Sequence, residues 1–173
     1  SADVLRIKDF TWNVNANVSY NKNEITELYN GITEYVASDT GRMVAVGHPL
    51  GEFYLNRYAG VNPTNGDALW YTKDGEITTE YNENDKVMLG KTHEAPWQGG
   101  FGTTLSWQGF SLSAQFTWVA DRWMLNNDRV FQESNGLFSA YNQSKRMLYD
   151  RWKKPGDVTD IPRYGVTPQL DSR

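Results

Sequence analysis

The side chains that could carry out catalysis or bind a metal are few in this sequence, and they do not converge. His48 and His93 are the only histidines, and there is no cysteine, which excludes thiolate ligands and disulfides. Neither is expected to have a metal-binding partner at ligand spacing, and we expect His48 to be structural or solvated because it precedes Pro49 in a turn. The sequence contains no nucleophile elbow, no phosphate-binding glycine loop and no paired-carboxylate motif. It therefore predicts that the chain is not an enzyme.

Two turn-rich segments resemble calcium-binding loops only superficially. An EF-type loop needs acidic or amide side chains at alternate positions before a fixed glycine, and a glutamate further on. Residues 62–67 (NPTNGD) place the glycine one position early, and residues 70–75 (WYTKDG) lack the first acid. The acidic cluster at 80–85 is typical of solvated loop surface. We therefore predict no metal site and no cofactor.

Three long alternating segments are the clearest structural signal. From Phe10 to Asn21 every even position is apolar and every odd position is polar and uncharged, and residues 101–107 and 110–118 repeat the alternation on either side of Gln108-Gly109. If Gln108-Gly109 is a two-residue turn, the cross-strand pairs match in polarity: Trp107–Phe110, Leu105–Leu112, Thr103–Ala114 and Phe101–Phe116. The pattern predicts antiparallel strands with one apolar and one polar face.

Two properties of these segments favour a transmembrane β-barrel over a soluble sandwich. The strands that contain these segments, near 10–21, 97–107 and 110–120, have near ten residues or more, whereas strands of soluble proteins average about five or six and a membrane-crossing strand needs about 9–11. Their polar sides carry no Lys or Glu, and on the apolar side aromatic residues flank a small aliphatic middle, as in the girdles of a barrel. The alternation by itself leaves both architectures open.

The bulk composition narrows the function classes. The 173 residues carry a net charge of −4 and contain no basic run, which argues against nucleic-acid binding. No apolar run reaches about 18 residues, so no membrane-spanning helix is predicted. The sequence has no initiator Met, and its last residues do not read as a strand. We therefore expect it to be a piece of a longer protein.

Short motifs distributed along the chain carry a family resemblance. They are 8–12 (KDFTW), 21–28 (NKNEITEL), 46–54 (VGHPLGEFY), 58–63 (YAGVNP), 85–90 (DKVMLG), 99–102 (GGFG), 107–112 (WQGFSL), 151–157 (RWKKPGD) and 160–163 (DIPR). In this order they resemble the SusC/RagA-type TonB-dependent outer-membrane transporters. No motif is specific alone, but the ordered set covers nearly the whole chain.

The resemblance implies a fold and a role. The fold would be all-β: an antiparallel meander forming part of a transmembrane β-barrel, with long extracellular loops and one short helix. The role would be import of oligosaccharides or peptides across the outer membrane of a Gram-negative bacterium. A SusD-like surface lipoprotein would act as the lid, and the TonB complex would supply energy through a missing N-terminal part. The chain would be a C-terminal barrel fragment without the plug and the closing strands.

The resemblance also orders the segments. We expect one segment over 1–173, with strands near 10–21, 42–46, 53–61, 97–107 and 110–120, a short helix within 141–152, and an external loop over 121–173. Short turns of such barrels are periplasmic and long loops are external, so residues 22–96 must contain an even number of crossings. We favour two, at 42–46 and 53–61. The alternative is none, with residues 22–96 forming an external domain.

Two sets of residues are expected to make functional contacts. The lipid-facing set is Phe10, Trp12, Val14, Val18, Phe101, Leu105, Trp107, Phe110, Leu112, Phe116 and Trp118. The substrate-binding set consists of loop aromatics that could stack on a sugar ring or clasp a peptide, namely Tyr58, Trp70, Tyr71, Trp123 and Tyr141. Packing within the loops, or contact with the lid lipoprotein, is the competing explanation for each aromatic.

A freestanding soluble carbohydrate-binding β-module is the alternative function. It would be a sandwich whose long strands pack on themselves, and it predicts a soluble monomer. An open section of a barrel would instead expose two strand edges and an apolar face. On the barrel interpretation we expect the isolated chain to self-associate.

Overall fold

The computed structural model describes residues 1–37, 42–138 and 140–165. Antiparallel strands dominate these ranges, and two short helices follow the last strand. The strands are β1 (Ala2–Ile7), β2 (Phe10–Tyr20), β3 (Glu34–Ala37), β4 (Arg42–Ala45), β5 (Glu52–Leu55), β6 (Arg57–Val61), β7 (Ala68–Tyr71), β8 (Ile77–Thr78), β9 (Val87–Thr92), β10 (Trp97–Trp107) and β11 (Phe110–Ala120). The helices are α1 (Asn127–Gln132) and α2 (Lys145–Tyr149). The all-β prediction is confirmed, with two short helices in place of one.

The long alternating segments form the main sheet, in the order β1-β2-β10-β11. β10 pairs with β2 along its whole length, and with β11 from Trp97–Ala120 to Trp107–Phe110. The turn residues Gln108 and Gly109 both have positive φ, 46° and 87°, as a two-residue hairpin turn with matching twist requires. The hairpin register predicted from polarity is confirmed.

β1 is a strand that the alternation did not predict. It pairs with the first half of β2, from Ala2–Val14 to Ile7–Phe10, and its register shifts between Asp3 and Leu5. An inserted residue at such a bulge breaks the period of two on which the pattern search relies. Since β1 is short and bulged, its sequence carries too little alternation to stand out.

The insertion, defined here as residues 21–96, forms two small sheets of its own, ordered β3-β4-β5-β9 and β6-β7-β8. The strands at 42–46 and 53–61 therefore do not join the main sheet, and the prediction that they are two further crossings of it is wrong. The predicted strand 53–61 divides at Asn56, which is fully buried and donates from Nδ2 to the carbonyl oxygen of Asn82 at 2.7 Å. The resulting strands are also far shorter than the about 9–11 residues that a crossing needs.

The insertion has its own small hydrophobic core. Its buried apolar residues are Met43, Val44, Ala45, Phe53, Leu55, Ala68 and Trp70. The Trp70 ring lies edge-on to Tyr58 and Tyr81, at centroid distances of 6.5 Å and 5.5 Å. This core lets strands of two to six residues remain paired, because short hairpins need an apolar face to be stable.

The C-terminal segment, defined here as residues 121–165, consists of turns and the two helices. The helix predicted within 141–152 is reduced to α2, where the Ser144 side chain caps the N-terminus by accepting from the backbone N–H of Arg146, and Met147 is buried. α1 was not predicted, because six residues show less than two turns of periodicity. Residues 166–173 of the predicted external loop lie outside the described residues. No helix in the described ranges is both long and apolar enough to cross a membrane.

Replacing Trp70 with Ala should loosen the insertion and leave the main sheet unchanged. Removing a buried Trp side chain typically costs about 3–5 kcal/mol, and Trp70 is only 4% exposed. We expect hydrogen exchange of the β6–β8 amides to accelerate accordingly, while the β2 and β10 amides keep their protection. Ile77→Ala is the matched control on an exposed side chain of β8; equal acceleration in the two variants would contradict the assignment of Trp70 to the core.

Candidate functional site

The main sheet places apolar side chains in transverse rows on one face. Side chains alternate between faces along a strand, so residues paired across the ladder share a face. The rows across β2, β10 and β11 are Phe10–Trp107–Phe110, Trp12–Leu105–Leu112, Val14–Thr103–Ala114, Ala16–Phe101–Phe116 and Val18–Gly99–Trp118. All eleven residues of the predicted lipid-facing set therefore lie on the same face.

This apolar face is open. Phe110 is 78% exposed, Leu112 67% and Val18 63%, so no second sheet of the described chain packs against it. A soluble sandwich would bury these side chains, since isolated soluble proteins seldom expose contiguous apolar patches of this extent. The arrangement therefore does not support the alternative of a freestanding sandwich, and it presents a surface that an apolar environment would stabilise.

Aromatic residues lie toward both ends of the apolar face. Phe10, Trp107 and Phe110 form the row at the hairpin end. Toward the insertion, Phe101 and Phe116 stack with ring centroids 4.7 Å apart, and Tyr20 lies 4.5 Å from Trp97. The indole of Trp12 donates to the hydroxyl oxygen of Thr103 at 2.8 Å, so its N–H is satisfied without water. Aromatic ends around a smaller middle are the pattern found at the two interfaces of a membrane-spanning barrel.

The opposite face of the main sheet is polar and nearly uncharged. Thr104 and Ser113 share a hydrogen bond of 2.9 Å, and Ser106 and Ser111 one of 3.0 Å. Gly102 lies beneath the side chain of Gln115, so that a side chain at this position would collide with the amide. Neutral hydrogen-bonding groups fit a wall that faces water or other protein, as the inner wall of a barrel does.

Three of the five predicted substrate-binding aromatics lie on β6 and β7. Trp70 is buried, so it stabilises the insertion and offers no ring face to a ligand; the prediction for Trp70 is corrected. Tyr58 is half-buried, and its hydroxyl donates to the carbonyl oxygen of Asp160 at 3.1 Å. The guanidinium carbon of Arg57 lies 5.4 Å from the centroid of the Tyr71 ring. These contacts favour a packing role over substrate binding for the aromatics of β6 and β7.

The other two predicted aromatics are exposed in the C-terminal segment. Trp123 has the ammonium of Lys91 over its ring at 3.9 Å, so one ring face already has a cationic partner. Tyr141 is 56% exposed and joins Phe131 and Phe138 in a cluster, with centroids 5.3 Å and 6.3 Å away. Tyr141 therefore combines a supported position with a free portion of its ring, which is what a stacking contact needs.

The C-terminal segment packs on the turn between β6 and β7. The Trp152 indole donates to the carbonyl oxygen of Pro63 at 3.1 Å, and its ring covers Gly66. Arg163 donates from Nε to Asp67 at 2.8 Å and from its backbone N–H to the carbonyl oxygen of Gly66 at 2.8 Å. The insertion and the C-terminal segment, which together form the loop region, are thus joined by the Trp152 ring, hydrogen bonds and the Arg163–Asp67 ion pair.

Two arginines hold α1, α2 and the turn at Asp160 together. The Glu133 carboxylate accepts hydrogen bonds from Arg129 Nε at 2.6 Å and from Arg146 Nη1 at 3.0 Å. The Asp160 carboxylate accepts a hydrogen bond from Arg146 Nη2 at 2.8 Å. Burial alone would raise the pKa of Asp160, but the hydrogen bond and charge of Arg146 outweigh it, and the pKa lies below its usual value. The hydrogen bond to Asp160 likewise raises the pKa of Arg146. This network was not predicted from the sequence, although Arg129 and Glu133 are four residues apart, a spacing that indicates a helical ion pair.

His48 and Glu52 form a second pair that the sequence analysis missed. His48 Nδ1 lies 2.9 Å from Glu52 Oε2, and Glu52 Oε1 accepts from the backbone N–H of Gly90 at 2.6 Å. The pair connects a turn of the insertion to β9, which supports the structural role expected for His48. Among the residues that the structure describes, no three His, Asp or Glu side chains are grouped closely enough to hold a metal ion.

Acid should loosen the C-terminal segment through Asp160. A carboxyl group whose pKa is depressed by folding adds stability that is fully present above its unfolded value of about 4 and is lost as the pH falls through its folded pKa. We expect hydrogen exchange in α1 and α2, corrected for intrinsic rates, to accelerate below about pH 4. Asp160→Asn should show the looser state already at pH 7. Asp74→Asn, in an exposed turn, is the control, and no difference between the two variants would contradict this role.

Comparisons with known proteins agree with the family resemblance. No protein-family model matches the chain. TonB-dependent receptor P39 of Formosa agariphila is 26% identical over 149 residues, which is 86% of this chain and 13% of that protein. The solved RagAB peptide transporter is 34% identical, with a TM-score of 0.90 over 98% of this chain. The RagAB peptide importer in its open-open and closed-closed states is 35% identical in each case, with TM-scores of 0.87.

The chain spans 19% of the length of these solved transporter chains. The compared proteins are named as transporters and a receptor, which is consistent with the expectation that the chain is not an enzyme. The similarity extends from β1 through the loop region, because nearly the whole chain superposes. Sequence and fold together therefore confirm the resemblance, and this chain corresponds to a segment of the SusC/RagA-type TonB-dependent outer-membrane transporters.

Proposed function

We propose that this chain forms part of the barrel wall and the outer loops of a TonB-dependent nutrient importer in the outer membrane of a Gram-negative bacterium. The observation that carries the proposal is the main sheet, whose eleven-residue strands expose an apolar face with aromatic ends. A strand of this length extends about 36 Å, which is enough for a tilted strand to span the hydrocarbon layer. The similarity to solved importers supports the same conclusion.

The orientation in the membrane follows from the turns. The two-residue turns Lys8-Asp9 and Gln108-Gly109 lie at one end of the main sheet, and the loop region lies at the other. Barrels of this kind have short periplasmic turns and long external loops. The loop region would then be extracellular, the eleven residues of the apolar face would contact lipid, and the polar face would line the lumen or contact the plug.

Peptides are the substrates that we propose first. The solved relatives are described as peptide transporters and importers, and the polar face offers neutral hydrogen-bonding groups suited to a peptide backbone. Oligosaccharides remain the second candidate, because exposed rings such as Tyr141 and Trp123 can stack on sugars. Tyr58 and Tyr71 remain weaker candidates than these two.

A SusD-like surface lipoprotein and the TonB complex are the proposed partners. The resemblance to the SusC/RagA-type transporters implies both partners, and the loop region would provide an external surface for a second subunit. The isolated chain should self-associate, because β11 pairs with a neighbour on one side only and an unpaired edge is a template for further strands.

Uptake by the full-length transporter that contains this segment tests the importer proposal. We expect a Gram-negative host carrying this transporter to accumulate a labelled peptide mixture, and the accumulation to require TonB. A labelled oligosaccharide mixture, measured in parallel, separates the two substrate classes. Uptake of neither mixture, or uptake that persists without TonB, would contradict the proposal.

Tyr141→Ala should weaken substrate binding and leave assembly intact. A lost aromatic contact of about 1 kcal/mol corresponds to about a fivefold increase in the half-saturating substrate concentration. Tyr29→Ala is the matched control, because Tyr29 is also an exposed tyrosine of the loop region. If both variants transport like the wild type, Tyr141 is not a substrate contact.

Leu112→Arg should impair insertion of the barrel, because a lipid-facing Arg costs up to about 2–4 kcal/mol near the membrane midplane. Ser113→Arg changes the next residue, on the opposite face. It should lose only the hydroxyl hydrogen bond to Thr104, which contributes about 1 kcal/mol. The folded fraction in outer-membrane preparations measures the difference. Equal loss in the two variants would contradict a lipid-facing apolar surface.

A further inference from the structure

The dipeptide Asn-Gly occurs three times in the chain, at Asn30-Gly31, Asn65-Gly66 and Asn135-Gly136. In such a pair the backbone nitrogen of the glycine can attack the side-chain amide carbon of the asparagine, because a glycine has no Cβ to hinder the approach. The structure places the three pairs in different surroundings. They therefore differ in how freely this reaction can proceed.

Asn30-Gly31 is the open pair. It lies in the turn before β3, where residues 29–33 are all exposed. The Asn30 side chain forms no hydrogen bond with any residue that the structure describes. A Cβ built on Gly31 would meet no atom of the described chain within 4 Å, apart from the adjacent residues. The space around the attacking nitrogen is therefore empty.

Asn135-Gly136 has the same backbone conformation in a closed environment. Asn30 and Gly31 have φ of 55° and 69°, and Asn135 and Gly136 have φ of 53° and 97°. Asn135, however, is only 6% exposed, and its Nδ2 donates to the carbonyl oxygen of Arg163 at 2.9 Å. Backbone conformation is matched between these two pairs, and burial is the difference.

Asn65-Gly66 is held by hydrogen bonds on both reacting groups. Asn65 Oδ1 accepts from the backbone N–H of Asp67 at 3.1 Å, and Asn65 Nδ2 donates to Asp67 Oδ2 at 2.8 Å. The backbone N–H of Gly66 donates to the carbonyl oxygen of Asn62 at 2.8 Å, and the Trp152 ring covers this glycine. Attack of the Gly66 nitrogen on Asn65 would require these bonds to break.

We propose that Asn30 is a site of spontaneous deamidation in the folded protein, and that the other two Asn-Gly pairs are protected from it. The Gly31 nitrogen forms a bond to Asn30 Cγ and gives up its proton, and the amide nitrogen of Asn30 leaves as ammonia. A succinimide ring remains. Water, the only co-reactant, opens the ring at either carbonyl carbon to give aspartate or isoaspartate. No electrons are transferred, and the inference does not depend on the importer proposal.

The modification should change the turn without unfolding the insertion, because the chain is anchored on both sides of Asn30. The backbone N–H of Ile25 donates to the carbonyl oxygen of His48 at 3.0 Å, and the backbone N–H of Val46 donates to that of Thr33 at 2.9 Å. Either product adds a carboxylate to the exposed turn. Isoaspartate also lengthens the main chain between these two anchors.

Peptide mapping of the purified full-length transporter that contains this segment tests the assignment. During incubation in mildly alkaline buffer, we expect the peptide that carries Asn30 to gain the mass of an –NH₂ to –OH replacement and to become a substrate for enzymatic methylation of isoaspartate. This should occur at least about tenfold faster than at Asn65 and Asn135, because opening the protected pairs breaks hydrogen bonds or exposes buried groups.

Two controls separate the effect of the fold from that of the dipeptide. In denaturant the three pairs should react at similar rates, because the protection is lost. Asn30→Gln should remove the reaction at position 30, since a glutamine side chain must close a larger ring. An Asn30 peptide that stays unmodified in the folded transporter, or comparable rates at the three pairs in the folded transporter, would overturn the proposal. Neither result bears on nutrient import, so the two proposals fail independently.

Discussion

The antiparallel ladder between β2 and β10 joins two strands that are separated in sequence by the entire insertion. At its end, the backbone N–H of Asn21 donates to the carbonyl oxygen of Pro96 at 2.8 Å, so the ladder also closes the base of the insertion. Because side chains alternate with a period of two, a slip of one residue would carry Trp12 and Val14 to the polar face. The two-sided character of the main sheet, and with it the proposed placement in a membrane, depends on this register.

The loop region is stabilised by side-chain packing, because its strands are too short to be stable alone. The insertion buries Phe53, Leu55 and Trp70 in a small core, and the C-terminal segment adds Trp152 and Arg163 against the β6–β7 turn. The two parts come from opposite ends of the β10–β11 hairpin sequence and stabilise one another. The two parts form one packed unit, and such packing allows exposed side chains on it to act as preorganised binding contacts.

The aromatic residues divide into three groups that composition cannot separate. Those on the apolar face of the main sheet are exposed in one contiguous surface, which in the proposed barrel would contact lipid, whereas Trp70 fills a core. Tyr141, and Tyr149 on α2, are supported on one side and open on the other, which suits substrate or partner contacts. The charge network of Arg146 and Asp160 holds α2, which carries Tyr149, against the turn at Asp160, so electrostatics in the C-terminal segment serves positioning rather than chemistry.

The sequence by itself determined the three long strands of the main sheet and the register of the β10–β11 hairpin, because alternation and turn chemistry are local; the addition of β1 and the pairing of β2 with β10 were decided by tertiary structure. The alternation in residues 10–21 and on both sides of Gln108-Gly109 indicates which side chains share a face. Polarity matching across the Gln108-Gly109 turn selects one register for the hairpin. Tertiary structure decided what no local pattern encodes: the division of the 53–61 strand at Asn56, the burial of Trp70, and the packing of residues 152–163 on the turn at 62–67. These depend on contacts between residues far apart in the chain, and a short strand or a single aromatic residue has the same local sequence whether its partner lies in a barrel wall, in a core or in another protein.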